Sequence, residues 1–519
     1  PVDKVSVRAL APFYTRLAAF FAKWTQPAQP VVLALPNGPE LLYSMWACLA
    51  AGIPFCIVHP DRAEGFLTRT RESHFPSTLV PGFVVADGNV AGHAVRLGFK
   101  SCSFTLLEQA AADVSPIVPV TLEPSRVVYF QLTSGSSGPP KAVPVTWAML
   151  SANIAQMSGR CELSGSDKLV LWVPLSHDMG LISWLALQAA GARMLLMDTR
   201  LFVRNPLSWL SALTDFRGSI SAAPTFALHV AAVLARRRRA TFDLSALRVL
   251  WVGGEPVFPR IVREFIQALG PSALRPQAIH PTYGLAEAVV GVATKTPTEL
   301  PGSVSVCAAS LNAGGIVRIS EEDAPGSMAI MSCGSPIRDI GLEVWPVDGL
   351  RALGEDRLGR IMIRGPNVGA LYADMEEDTV DGWRDTGDTG FVHGGELYIV
   401  GRRKNVLVRG GLKVHAEHAE DVIRSTLGDR VRRVAAFSNI DHATGAERIF
   451  VVCETGMEPE ELRSCVAAAL VRHCGIAVDT VLGVGRGVIP MTSSGKIRRD
   501  ELHGIFEGQE GQRGTRPGR

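Results

Sequence analysis

No apolar run in this sequence is long enough to cross a bilayer. The stretch LISWLALQAAGARMLLM is interrupted by Gln188, Gly191 and Arg193, whereas a spanning helix needs roughly 20 consecutive, mostly apolar residues. An excess of one charge sign is missing too. The 52 Lys and Arg against 50 Asp and Glu leave a net +2, so no global field recruits nucleic acid or a membrane surface. The nine cysteines form no CxxC pair and no histidine spacing suited to a metal. In surroundings such as ACLAAG and IPFCIV they read as buried thiols of a reducing compartment. No charged-then-apolar leader follows Pro1, and the expectation is a cytoplasmic chain whose natural start has been removed.

What is present is an ordinary globular composition, 47% hydrophobic and 20% charged. At 519 residues the chain exceeds what one hydrophobic core serves, so at least two domains are expected. Residues 401–519 carry 19 Lys and Arg against 15 Asp and Glu, a balance of +4, and residues 1–400 the remaining 33 against 35. That basic last quarter either faces an anionic partner or is a set of solvated arginines.

The segment VVLALPNGPELLYSMWACLAAGIPFCIV sets the architecture. Val31–Leu35 reads as a strand, Asn37 as a helix cap with Pro39 in the first turn, and Leu41, Leu42, Met45, Trp46 and Leu49 follow helical spacing. Gly52 stops the helix and Ile53–Val58 is the next strand. This βαβ unit, repeated at LRVLWVGG with PRIVREFIQALG, predicts an α/β fold with helix-covered parallel sheets. From about 359 the pattern changes to short strands and tight turns, with a hairpin across Gly394-Gly395. GRRKN, 401–405, is the seam. The expected domains are 1–401, a large N-terminal core of several βαβ subdomains, and 402–505, a small mobile α+β unit with helices at 416–426 and 458–472. A disordered Gly/Arg tail is expected over 506–519.

TSGSSGPPK, 133–141, gathers hydroxyls, glycines and a lysine in one loop. A Walker A loop needs lysine directly after its last glycine, and here Gly138 precedes Pro139-Pro140, so that reading fails. Free backbone N–H groups with Lys141 still cradle a phosphate; a plain Gly/Ser surface turn is the alternative.

The loop resembles the phosphate loop of the adenylate-forming superfamily, which includes acyl- and aryl-CoA ligases, luciferases, peptide-synthetase adenylation domains and fatty acyl-AMP ligases. PLSHDMGL (174–181), WVGGEPV (251–257), PTYGLAEA (281–288), WRDTGD (383–388), GRRKNVLVRGG (401–411) and PMTSSGKIRRDEL (490–502) resemble its motifs in the same order. The resemblance implies a two-step reaction in which a carboxylate attacks the α-phosphorus of ATP·Mg²⁺ and a thiol then takes the acyl group from acyl-AMP. It implies that Thr133, Ser134, Gly135, Ser136, Ser137, Gly138 and Lys141 close over the β- and γ-phosphates. Gly253, Gly254, Glu255 and Pro256 would wall the adenine pocket. Tyr283 would stack on adenine, Gly284, Leu285 and Ala286 would join the ATP/AMP-binding set, and Glu287 would help hold Mg²⁺. Asp388 would accept from the ribose diol and Arg402 would contact ribose or phosphate. Lys404 would be the hinge, and Lys496 the lysine bridging carboxylate and α-phosphate. Gly410 and Gly411 would line the thiol tunnel after the C-terminal domain rotates.

His177 matches a residue that lines the acyl carboxylate, or is a satisfied structural histidine. Asp178 occupies an amine-binding position of amino-acid adenylation domains, but HDMGL as a whole resembles the fatty acyl branch, where aspartate lacks that role. Arg236–Arg239 either ends a helix in water or docks an acidic carrier protein. Ala286, GGEPV, SAAPTFAL (221–228), SCGSPI (332–337) and the long 295–331 segment resemble fatty acyl-AMP ligases, whereas RGGLKVHAEHAE is closer to the GxKV segment of CoA ligases, although Ala416 and His418 depart from the proline and the acidic or hydrophobic residue usual there. The favoured expectation is a fatty acyl-AMP ligase loading a carrier-protein phosphopantetheine. The alternatives are a ligase that uses free CoA and a non-catalytic member that only binds nucleotide or carrier. Neither nucleic acid nor stable membrane insertion is expected.

Overall fold

A computed structural model describes residues 6–502 except 7, 27, 73–74, 76, 134–140, 312–314, 323, 325, 370–378, 410–411, 441–446, 492–496 and 500. Two six-stranded sheets dominate. The first runs Ser101–Cys102, Phe83–Ala86, Val31–Ala34, Phe55–Ile57, Val127–Thr133 and Lys141–Thr146 in spatial order, parallel until its last pair. The second runs Gly291–Thr294, Ile279–Gly284, Val249–Val252, Ile220–Ala223, Lys168–Leu171 and Arg193–Leu196, again parallel except for one edge pair. Their inner parallel strands, such as Val31–Ala34 and Val249–Val252, are buried along their whole length, as sheets covered on both sides by helices require. One continuous core joins the two sheets, from Leu33 and Met45 to Trp209 and Phe265.

The βαβ unit holds, with its strands shortened to Val31–Ala34 and Phe55–Ile57 and its helix at Pro39–Ala51. Gly52 ends that helix in the left-handed region at φ 63°. The predicted cap is corrected: Gly38 is the N-cap residue and no side chain caps the helix. Asn37 instead donates to the carbonyls of Val173 and Met197 and accepts from the Leu175 amide. Three buried backbone groups of the second sheet's loops need partners, and Asn37 meets them from the first sheet.

The third sheet is antiparallel: Gly341–Trp345, Gly359–Arg364, Trp383–His393 and Thr379–Val380 in order, with Glu396–Arg402 on the other side of Trp383–His393. Gly394 and Gly395 turn its hairpin at φ 58° and 75°, which suits the right-handed twist of the two strands. Trp383–His393 is eleven residues long, longer than the short strands expected there. Beyond it, helices Ala416–Leu427 and Pro459–Cys474 pack on the sheet Val431–Ile440, Glu447–Thr455 and Thr480–Val484. This unit has its own core of Leu407, Ile423, Val434, Val451, Leu462, Val466 and Leu470. The 506–519 tail lies outside the described residues. All nine cysteines are free thiols, and no described helix is long and apolar enough to cross a membrane.

Candidate active site

Parallel sheets present their ligand sites at the carboxyl ends of their strands. Here those ends open into a cleft of about 2040 Å³, whose other wall comes from the C-terminal unit. Strand Val249–Val252 runs into Gly253-Gly254. A Cβ on Gly253 would lie 2.5 Å from the Thr282 carbonyl oxygen, and Gly254 has φ +77°, so only glycine lets this turn lie against the neighbouring strand. Glu255 lines the cleft but also anchors the fold, since its Oε1 accepts from the Phe226 amide at 2.6 Å. That contact satisfies one of the open N–H groups at the start of helix Thr225–Arg238.

Strand Ile279–Gly284 carries Tyr283 to the same rim. A Cβ on Gly284 would sit 1.7 Å from the Val290 carbonyl oxygen, so the chain doubles back there over the single turn Ala286–Ala288 that bears Glu287. The Glu287 carbonyl accepts from the Gly369 amide at 2.8 Å. Val289 closes the turn at φ 66°, ψ −60°, with the Val290 amide donating to the Ala288 carbonyl at 2.8 Å. This γ-turn on a β-branched residue is strained by about 1–3 kcal/mol, and the buried packing of Val289 holds it.

The Tyr283 hydroxyl donates to Asp388 Oδ2 at 2.6 Å, and Arg402 Nε lies 2.9 Å from Asp388 Oδ1. Asp388 and Arg402 are cross-strand partners in the hairpin. Burial and then the Asp388 charge hold the Tyr283 phenol protonated, well above its ordinary range. The Asp388 charge raises the Arg402 pKa against the opposing effect of burial. A carboxylate offers about four acceptor sites, and both oxygens of Asp388 take part in contacts at this rim. Arg402, Lys404 and Glu287 line the same cleft.

His177 precedes helix Asp178–Ala189, its Nδ1 2.6 Å from Asp178 Oδ1. Asp178 Oδ1 also accepts from the Met179 amide at 2.7 Å, so this carboxylate serves the start of its own helix. Trp172 stacks on Phe202 with centroids 3.7 Å apart, and Phe226 lies edge-on to both. With Met179 and Ile182 these rings give the cleft an apolar arm beside His177.

Thr133 and Lys141 are cross-strand partners, and the Thr133 hydroxyl donates to the Lys141 carbonyl at 3.3 Å. Ser134, Gly135, Ser136, Ser137 and Gly138 lie outside the described residues, as do Gly410, Gly411 and Lys496. The flanks of Lys496 are described: Met491 and Ile497 form an isolated antiparallel bridge. Arg499 then reaches Glu420 at 2.6 Å and Glu417 at 3.4 Å. Among the described residues no three His, Cys, Asp or Glu side chains converge on a metal position. Glu287 as a single carboxylate fits Mg²⁺ carried chiefly by substrate phosphates.

Sequence reasoning missed the contacts between the two halves. Arg62 donates to the Met491 carbonyl at 3.3 Å. Arg260 joins Glu264 at 2.7 Å and Asp421 at 3.3 Å, Arg237 meets Asp429 at 2.6 Å, and Arg424 lies over the Phe258 ring at 5.7 Å. Most of these residues lie outside any motif, and the contacts that cross between the halves form only once both are folded. Arg237 stands largely exposed in the last turn of its helix and pairs there with Asp429 of the other half.

Two helix-covered, mainly parallel sheets thus have strand ends that open into one large cleft, and a small second unit forms its other wall. The AMP-binding enzyme profile matches residues 2–373. The long-chain-fatty-acid–AMP ligase FadD32 of Mycolicibacterium smegmatis is 30% identical over 93% of this chain and 86% of its own length. JamA of Moorena producens, a medium-chain-fatty-acid–[acyl-carrier-protein] ligase, is 27% identical over 96% of this chain and 89% of its own. A fatty acyl-adenylate ligase structure, from work on the E. coli and L. pneumophila enzymes, shares the fold at TM-score 0.86 and 22% identity, covering 98% of this chain and 94% of that one. The chain belongs to the AMP-binding enzyme family, in its fatty acyl-AMP ligase branch.

Proposed function

We propose that this protein activates a fatty carboxylic acid with ATP and passes the acyl group to the phosphopantetheine thiol of a carrier protein, in the cytoplasm. In the first step a carboxylate oxygen attacks the α-phosphorus and the bond to pyrophosphate breaks, giving acyl-AMP. In the second a thiolate attacks the acyl carbon and the bond to AMP breaks. The observation that carries the reading is the Tyr283–Asp388–Arg402 cluster at the cleft rim. It joins an aromatic face, a diol acceptor and a cation beside an apolar arm able to take an acyl chain.

Catalysis in this scheme is positioning and charge neutralisation, with no protein nucleophile. Tyr283 supports adenine, Asp388 takes the ribose hydroxyls, and Lys141 and the 133–138 loop hold the outer phosphates; Glu287 would help hold Mg²⁺, which would supply neutralisation of phosphate charge. His177 lies between the Gly253-Gly254 turn and the apolar arm, in place to orient the acid carboxylate. Asp178, committed to its own helix start, leaves plain acids rather than amino acids as the substrate class. Lys404 is the hinge, and rotation about it exchanges Lys496 for the Gly410-Gly411 segment.

The test is acid-dependent pyrophosphate release with mass spectrometry of the acyl adenylates formed from a carboxylic acid library. Plain fatty acids should yield acyl-AMP, and holo-carrier should be acylated in preference to free CoA at equal thiol concentration. Absence of any acyl adenylate overturns the reading. Equal use of CoA moves the acceptor to the small thiol.

A further inference from the structure

The short helix Thr199–Arg204 turns Phe202 inward to the aromatic arm and leaves Leu201 and Val203 in solvent, 49% and 73% exposed. Isolated exposed apolar residues are ordinary, but here arginines cluster beside them. Arg204 ends this helix, and the exposed run Arg236–Arg239 ends helix Thr225–Arg238 beside it. Arg238 Nη1 reaches Asn205 Oδ1 at 3.5 Å and ties the two helix ends together. Nearby carboxylates are already engaged: Asp198 with Arg200, Asp429 with Arg237, and Glu264 with Arg260. Among the described residues no carboxylate pairs with Arg204, Arg236, Arg238 or Arg239. Val203, Arg236 and Arg237 also line the active-site cleft, so the patch borders its mouth.

An apolar pair beside a cluster of exposed guanidiniums at a cleft mouth fits an acidic protein surface with a small apolar centre. Such charge complementarity governs encounter and register more than intrinsic affinity. We infer that this patch, Leu201 and Val203 with Arg204, Arg236 and Arg238, docks an acidic carrier protein and aims its phosphopantetheine arm into the cleft. The inference rests on the carrier-loading reading above and adds to it the surface that selects the carrier. Two apolar side chains on a six-residue helix offer too little surface for stable insertion into a lipid layer, which favours the protein partner. Arg237 is held by Asp429 of the C-terminal unit, so a carrier seated here lies against the junction that rotation would rearrange.

The experiment measures acyl transfer to a holo acyl carrier protein of net negative charge in wild type and in the Arg204→Glu/Arg238→Glu variant. The carrier KM should rise on the order of tenfold, as for rim charges that steer encounter, and wild-type transfer should weaken with salt. Acid-dependent pyrophosphate release without carrier, and transfer to free pantetheine, should stay at wild-type rates. If the reversal also lowers pyrophosphate release, the neutral pair Arg204→Gln/Arg238→Gln and the apolar pair Leu201→Ser/Val203→Ser decide. An unchanged carrier KM in these variants overturns the proposal. So does binding of wild type to anionic phosphatidylserine vesicles through the same residues with carrier transfer unaffected. Failure of the broader reading shows differently, as absence of pyrophosphate release in wild type with every acid.

Discussion

The Tyr283 hydroxyl and the Asp388 carboxylate meet at 2.6 Å across 105 residues of sequence. This bond fixes the orientation of the tyrosine ring and of the carboxylate at the rim of one cleft. Tyr283→Phe removes a hydrogen bond to a charged group, about 1.5–3 kcal/mol. The kcat/KM for ATP in pyrophosphate release should therefore fall at least about tenfold. Asp388→Ala should fall further, because it also leaves Arg402 without its carboxylate. Wild-type ATP dependence in both variants would remove the pair from nucleotide binding.

Lys496 is expected to act in adenylation alone. Lys496→Ala should slow acyl-AMP formation by about 10²-fold or more, the usual scale for one positioned charge stabiliser. Transfer from pre-formed acyl-AMP should continue. Rapid-quench measurement of the two half-reactions separates them, and equal losses would reject the division of labour.

Lys404 sits between the Arg402 carbonyl and the Asn405 amide that donates to it at 3.0 Å. Proline at 404 fixes φ and removes a backbone donor. With Lys404 as the hinge, Lys404→Pro should reduce thiol transfer far more than adenylation. Unchanged rates in both steps place the hinge elsewhere.

Arg499 donates to the Ala436 carbonyl and pairs with Glu417 and Glu420, and Glu420 Oε1 also accepts from the Ala436 amide. Burial pushes the Glu420 pKa up while Arg499 opposes it. Arg499→Ala removes the ion-pair partner of a buried carboxylate and leaves only the weaker cationic influence of Arg424, and breaking such a pair costs about 3–5 kcal/mol in comparable cases. Urea unfolding and limited proteolysis should show the C-terminal unit destabilised by that order. Wild-type stability would mean that Glu420 is neutral in the folded protein.

His280 is fully buried, and burial, reinforced by Lys295 and Arg248, lowers its pKa to about 3. Between pH 6.5 and about 3 the unfolded chain takes up this proton and the folded chain does not. The stability contribution is therefore present above pH 6.5 and is lost as pH falls. By pH 5 the loss amounts to about 2 kcal/mol. His280→Asn should lose less stability than wild type between pH 7 and pH 5 in paired urea titrations. Parallel pH dependences would show that His280 is protonated in the fold.

The reaction class was legible in the sequence through the resemblance of its ordered motifs to the adenylate-forming superfamily, and several of those motif residues answer to local backbone chemistry. Gly253 and Gly284 are glycines because any Cβ would strike the adjacent strand or loop. The βαβ rhythm, the Gly394-Gly395 hairpin and the C-terminal helices follow from periodicity and turn residues within short windows. Only the tertiary structure decided what Asn37 does, since its partners on Val173 and Met197 lie 136 and 160 residues away. The Arg260–Asp421 contact spans 161 residues, and the basic patch forms where the ends of two helices meet. Such pairings depend on strand order and on how two folded units are apposed. Local propensity does not encode either, because the free energy of each contact appears only after the intervening chain has packed.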